Sequence, residues 1–138
     1  MVENERHGIS ILAVEDDMAT REFLVLIINK KFPDISVYFA ENGIKGVELF
    51  KAHAPEVVIT DIVMPEMDGV EMSSMIKTIK PGIKLIVVTG YNSTSYEEEF
   101  SRIGANAFLT KPIDMKKLCA AIEGCLKELE TGDRNCGQ

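Results

Sequence analysis

The chain has 138 residues, of which 46% are hydrophobic and 27% are charged, a size and composition typical of one compact domain. Fifteen basic against twenty-two acidic side chains give a formal charge of −7, so we expect no direct nucleic-acid binding and no affinity for anionic membranes. No segment approaches the roughly 20 apolar residues that span a bilayer. The N-terminal sequence MVENERHGIS also lacks the pattern of a signal peptide. We therefore expect a single-domain cytoplasmic protein.

Five short apolar runs, rich in β-branched or aromatic residues, alternate with segments of helical periodicity. This alternation predicts five strand–helix units. The last helix is predicted to begin at Met115, after Asp114 as its N-cap, and to end at Leu129. Residues 130–138 are then expected to form a tail or the stub of a linker. The predicted strands are residues 9–14, 35–39, 57–60, 85–88 and 107–109.

Five such units predict a parallel sheet with helices on both faces, because right-handed crossovers place successive helices on either side. This is a doubly wound α/β fold. In such sheets ligands bind outside the carboxyl ends of the strands, where the strand order reverses. The residues that directly follow each strand are therefore the candidates for a functional site.

Polar side chains collect at this predicted edge of the sheet. Each could be explained singly, because Asp is common where strands end and helices begin, but together they indicate one site. Converging carboxylates repel one another unless a cation neutralises them. Magnesium is the cation that an all-oxygen ligand set favours. The candidates are Glu15, Asp16 and Asp17 after the first strand, Asp61 after the third, Thr89 after the fourth and Lys111 after the fifth.

The chemistry that these residue types allow is phosphoryl transfer. With a divalent ion to screen the repulsion between anions, one carboxylate can act as a nucleophile toward phosphorus. Lys111 would supply a second positive charge, and the Thr89 hydroxyl could hydrogen-bond a phosphoryl oxygen.

Four motifs stand in order along the chain, each after a predicted strand: ILAVEDD, DIVMPEMDG, VVTG and FLTKP. Together they resemble the receiver domain of bacterial two-component response regulators, of the chemotaxis-regulator type, over residues 9–129. The resemblance implies a (βα)5 fold with a five-stranded parallel sheet in the flavodoxin-like order 2-1-3-4-5. Residues 1–8 would then be an N-terminal extension.

The resemblance also implies roles for individual residues. Asp61 would be the phosphoacceptor, and Glu15 and Asp16 the acidic pair that holds Mg²⁺, with Asp16 as the direct ligand. Val63 would add its backbone carbonyl to the metal ligands. Asp17 falls one place beyond the pair, and we expect it to cap the first helix and to lie outside the site.

A switch is implied at Thr89 and Phe108, which occupy the positions that rearrange in the family when the aspartate is phosphorylated. Their movement would alter the surface of the fourth helix, fifth strand and fifth helix. The alternative for Phe108 is that it is a core residue only. The resemblance further implies a cis peptide bond before Pro112.

The partners implied are a sensor histidine kinase or phosphotransfer protein and a downstream target that the sequence does not identify. Phosphorylation-dependent homodimerisation is compatible with this reading. We expect a signalling receiver that catalyses its own phosphorylation and dephosphorylation, and no dedicated turnover enzyme. Whether the chain is a complete single-domain regulator, the leading domain of a transcription factor or a fragment of a hybrid kinase stays open.

The lifetime of the phosphorylated state is predicted from Val63 and Tyr91, each two residues beyond a site residue. Neither side chain offers a carboxylate or amide that would position water. We therefore expect the phosphorylated Asp61 to be hydrolysed more slowly than the corresponding group of chemotaxis-type receivers.

Three alternative functions fit the sequence less well. An aspartyl-phosphate phosphohydrolase of the haloacid dehalogenase type needs a second aspartate two residues after the nucleophile, where this chain has Val63. A flavodoxin-like FMN module is disfavoured because Glu15, Asp16 and Asp17 would repel a phosphate. A docking-only receiver that never accepts phosphate is disfavoured because all the expected site residues are present.

Overall fold

The computed structural model describes residues 8–90 and 94–136, without the side chains of residues 94–97 and 131–136. Five strands alternate with five helices, as the sequence predicts. All strand pairs are parallel, and the order in the sheet is β2-β1-β3-β4-β5. The elements are β1 (Ser10–Val14), α1 (Met18–Lys31), β2 (Ser36–Ala40), α2 (Gly43–His53), β3 (Val57–Thr60), α3 (Gly69–Ile79), β4 (Lys84–Thr89), α4 (Thr94–Ile103), β5 (Ala107–Thr110) and α5 (Met115–Cys136).

The sheet separates two hydrophobic clusters, because successive side chains of a strand point to opposite faces. In β1, Ile11 and Ala13 pack with apolar residues of α1 and α5, whereas Leu12 and Val14 pack with those of α2, α3 and α4. Strands β1 and β3 are buried along their whole length, which explains why their sequences are apolar except for Ser10 and Thr60. On the α5 side, burial raises the pKa of the Cys125 thiol to about 11, consistent with a packing role.

Short polar side chains begin four of the helices. Asp17 accepts a hydrogen bond from the Thr20 amide at 2.9 Å and so caps α1, as predicted. Asp114 accepts from the Lys116 amide at 2.8 Å at the start of α5, also as predicted. Asn42 and Asp68 cap α2 and α3 in the same way. These caps satisfy amides that lack a partner in the first helical turn.

The last helix is longer than predicted. It continues to Cys136, so the predicted end at Leu129 is wrong. Residues 130–136 contain no proline, and a glycine such as Gly132 costs a helix only about 1 kcal/mol relative to alanine. Within residues 8–90 and 94–136, no helix combines the length and hydropathy that a membrane span requires.

Gly69 allows α3 to begin against the end of β3. Its amide donates to the Ile62 carbonyl at 2.7 Å, and a Cβ at this position would overlap the backbone carbonyl of Asp61. We expect Gly69→Ala to lower the free energy of unfolding by about 1–3 kcal/mol, the usual cost of overpacking, in urea denaturation. Gly82→Ala is the matched control, because a Cβ there meets open space. Equal stability of the two variants would contradict this account.

Candidate functional site

The site lies at the carboxyl edge of the sheet, where the register of the strands brings separate parts of the chain together. Val14 of β1 pairs with Thr60 of β3, so Glu15 and Asp61, the next residue of each strand segment, are neighbours. The amide of Asp61 donates to the Val14 carbonyl at 3.2 Å. The position of Asp61 therefore follows directly from the packing of two buried strands.

Three carboxylates converge at this edge. One carboxylate oxygen each of Glu15, Asp16 and Asp61 lies within 4.8 Å of the others. Glu15 is 1% exposed and Asp61 is 8% exposed, whereas Asp16 is exposed to solvent. The cluster thus combines two buried acids with one acid that faces outward.

Lys111 joins the two buried acids. Its Nζ lies 2.8 Å from Asp61 Oδ2 and 3.0 Å from Glu15 Oε1. The other oxygen of Asp61, Oδ1, accepts a hydrogen bond from the Ile62 amide at 2.7 Å. The peptide bond between Lys111 and Pro112 is cis, as the resemblance implied.

Burial and ion pairing shift the pKa values of both Glu15 and Lys111. Burial raises the pKa of the Glu15 carboxyl, and hydrogen bonding to Lys111 offsets this only in part. Burial alone would lower the pKa of the Lys111 ammonium, but its hydrogen bonds to Asp61 and Glu15 outweigh that effect and raise it. Lys111 is therefore charged at neutral pH, and this one ammonium group lies against a cluster of three carboxyl groups.

The donor set fits Mg²⁺. All three acids offer carboxylate oxygens, the ligands that hard divalent cations prefer, and the cluster contains neither His nor Cys. A divalent cation would also reduce the repulsion between carboxylates that lie this close together. The Val63 side chain is 45% exposed; the role of its backbone carbonyl as a ligand stays a prediction.

Asp17 lies outside this cluster, as expected, but it supports it. Its carboxylate caps α1, while its backbone amide donates to Glu15 Oε2 at 3.1 Å. The hydrogen bonds from Thr20 lower the pKa of the Asp17 carboxyl. The loop between β1 and α1 is thereby tied to the helix that follows it.

Thr89 and Phe108 lie on neighbouring strands. Thr89 is fully buried at the end of β4 and pairs with Thr110 of β5. Phe108 is half-buried, and its ring meets that of Phe100 in α4 edge to face, with centroids 6.2 Å apart. The two residues are therefore connected through the β4–β5 ladder, and β5 is connected to α4. Tyr91 lies outside the described residues.

One residue near the site was not anticipated from the sequence. Arg21 of α1 donates a hydrogen bond from Nη1 to the backbone carbonyl of Glu15 at 3.0 Å. A basic residue six places after an acid carries no motif of its own, because the contact depends on how α1 lies against the end of β1. Sequence reasoning therefore had no signal with which to find it.

The sequence is similar to those of known proteins from one family. The family model of the response regulator receiver domain matches residues 11–123. The chain is 33% identical over 116 residues to the chemotaxis protein CheY of Halobacterium salinarum, covering 84% of this chain and 95% of that protein. It is 30% identical to the response regulator MprA of Mycobacterium leprae, covering 89% of this chain but 53% of that protein.

A solved structure extends the likeness to three dimensions. The CheY-like response regulator receiver domain protein of Methanospirillum hungatei superposes with a TM-score of 0.84 at 29% identity, covering 90% of this chain and 98% of that one. The sheet order, the acidic cluster and the four motifs all agree with this family. The chain is a member of the response regulator receiver domain family of two-component signalling proteins.

Proposed function

We propose that Asp61 accepts a phosphoryl group from the phosphohistidine of a sensor histidine kinase or phosphotransfer protein, in a reaction that requires Mg²⁺. The observation that carries this proposal is the Lys111 ammonium bound to both Asp61 and Glu15 within the acidic cluster. Such a constellation at the carboxyl edge of a parallel sheet is suited to an incoming phosphoryl group.

In the proposed step a carboxylate oxygen of Asp61 forms a bond to phosphorus as the phosphorus–nitrogen bond to the donor histidine breaks. The imidazole leaves with the electron pair of that bond, and an acyl phosphate remains on Asp61. Lys111 stays close enough to stabilise the negative charge of the transferred group. The Thr89 hydroxyl donates a hydrogen bond to a phosphoryl oxygen.

Glu15, Asp16, Asp61 and the backbone carbonyl of Val63 are the proposed ligands of Mg²⁺. When bound, the ion screens the repulsion between the carboxylates and the phosphoryl oxygens. Within the acidic pair, Asp16 is proposed to bind the ion directly because it is exposed, whereas the carboxyl group of Glu15 is buried against Lys111.

The output of phosphorylation is proposed to pass through Thr89 and Phe108 to the surface formed by α4, β5 and α5. Thr89 moves toward the new phosphoryl oxygens, and the Phe108 ring turns into the space that this movement leaves. The present contact of Phe108 with Phe100 would then change, and with it the face offered to a downstream target or to a second copy of the chain.

Residues 9–129 would form the receiver domain, consistent with the family match to residues 11–123. The proposed function includes no dedicated turnover activity beyond the protein's own phosphorylation and dephosphorylation. Docking without phosphorylation and phosphohydrolysis are the competing functions. The first is disfavoured by the intact cluster, and the second by the apolar Val63 where a hydrolase would need an acid.

The phosphoacceptor can be identified by intact mass spectrometry. After incubation with phosphoramidate and Mg²⁺, we expect the parent protein to gain the mass of one phosphoryl group and Asp61→Asn to gain none, because the amide cannot form an acyl phosphate. Asp34→Asn is the matched control, since Asp34 is exposed and precedes β2 at the opposite edge of the sheet. A parent that gains no mass would favour docking alone.

Magnesium binding can be tested without phosphorylation. We expect saturating Mg²⁺ to raise the unfolding temperature of the parent, because a ligand at 100 times its Kd stabilises a protein by about 2.7 kcal/mol. The shift should be largely lost in Asp16→Asn and kept in Asp34→Asn. A similar shift in both variants would place the ion elsewhere.

The lifetime hypothesis rests on the apolar side chain of Val63. We expect phosphorylated Val63→Asn to lose phosphate faster than the parent by roughly tenfold or more, since a group that positions water contributes about 10²–10⁴ in favourable cases. Ile44→Asn provides the comparison, because Ile44 is a similarly exposed apolar residue on α2. Dephosphorylation is measured as the loss of acid-labile phosphate from each protein. Equal rates in the parent and both variants would rule out a role of Val63 in the lifetime of the phosphorylated state.

A further inference from the structure

Arg21 occupies a defined position beside the acidic cluster without belonging to it. Its guanidinium donates from Nη1 to the backbone carbonyl of Glu15 at 3.0 Å. The same guanidinium lies over the ring of Phe39, with its central carbon 6.0 Å from the ring centroid. Arg21 is half-buried, and a cation over an aromatic face is stabilised electrostatically.

The ring beside Arg21 lies at an exposed position of the sheet. Phe39 belongs to the edge strand β2 and is 55% exposed, so burial of the ring explains little of its presence there. Its ring instead offers the Arg21 cation an aromatic face within cation–π range, a contact that arginine makes more often than lysine.

The backbone of Glu15 is held on both sides by this arrangement. Its amide donates to the carbonyl of Ala40, the last residue of β2, at 3.0 Å. Its carbonyl accepts from Arg21. Both polar groups of this peptide segment therefore have fixed partners at the point where β1 ends and the acidic pair begins.

We infer that Arg21, supported by Phe39, is a positioning residue that fixes the backbone of Glu15 and thereby sets the geometry of Glu15 and Asp16 for binding Mg²⁺. The inference rests on the proposed function of the acidic cluster as a magnesium site. Residues that orient metal ligands from outside the ligand shell change metal affinity by about 10–100-fold when removed.

Whether the loss of Arg21 weakens or strengthens Mg²⁺ binding distinguishes a positioning role from a purely electrostatic one. Removal of a positive charge near an anionic site strengthens cation binding by Coulomb attraction alone. Loss of positioning weakens it. Arg21→Ala therefore has opposite expected results under the two accounts.

The first measurement is the Kd of Mg²⁺ by isothermal titration calorimetry. We expect Arg21→Ala to raise Kd about tenfold, Arg21→Lys to raise it less because the charge and one donor remain, and Phe39→Leu to raise it without any change in charge. Lys30→Ala, which removes a positive charge at the other end of α1, should leave Kd close to that of the parent. An unchanged or lower Kd in both Arg21→Ala and Phe39→Leu would overturn the inference.

The second measurement needs no metal. In the metal-free protein we expect Arg21→Ala to accelerate hydrogen exchange at the amides of Glu15 and Asp17, which donate to Ala40 and to the Glu15 side chain. Amides inside β1 should exchange as in the parent. Exchange at Glu15 that is unchanged, or accelerated equally throughout β1, would overturn positioning. Failure of the parent to bind Mg²⁺ would count against the proposed function, while hydrogen exchange would still decide the role of Arg21.

Discussion

The ion pair that Lys111 makes with two buried carboxylates is the interaction on which this site depends. Asp61 and Glu15 lie side by side because β1 and β3 pair in a fixed register, and both acids are shielded from water. Two neighbouring buried carboxylates without a cation would be strongly unfavourable. The ammonium of Lys111, brought in by the end of β5, makes their coexistence possible.

The cluster nevertheless contains more acidic groups than basic ones, and the proposed function depends on this feature. Lys111 carries one positive charge against three carboxylates, and Asp16 remains exposed at the rim. Three carboxyl groups thus share one ammonium group at the carboxyl edge of the sheet, a set of groups that suits the Mg²⁺ and the phosphoryl group of the proposed function. A sheet edge without these acids would be easier to stabilise, but it would contain no candidate phosphoacceptor.

Much of this arrangement could be predicted from the sequence, because a strand ends where its apolar run gives way to polar residues. Unbroken apolar runs mark β1 and β3 as central strands, and the residues that follow them are the ones that converge. The switch roles proposed for Thr89 and Phe108, like the cis bond before Pro112, required the family resemblance. Arg21 could not be predicted, since its contact depends on the placement of α1 against the end of β1. The end of α5 was misplaced because the apolar periodicity stops at Leu129, whereas the helix continues through polar residues to Cys136.

The approach of Gly69 to Asp61 also limits how this protein can vary. The Gly69 amide closes a ring of hydrogen-bonded backbone with the Ile62 carbonyl, and the absence of a side chain lets α3 start directly beneath the carbonyl of Asp61. An insertion anywhere in residues 62–68 would open this ring and displace the acid itself. Length variation among related chains should therefore fall outside residues 62–68, which keeps the position of Asp61 constant while the surfaces around it diversify.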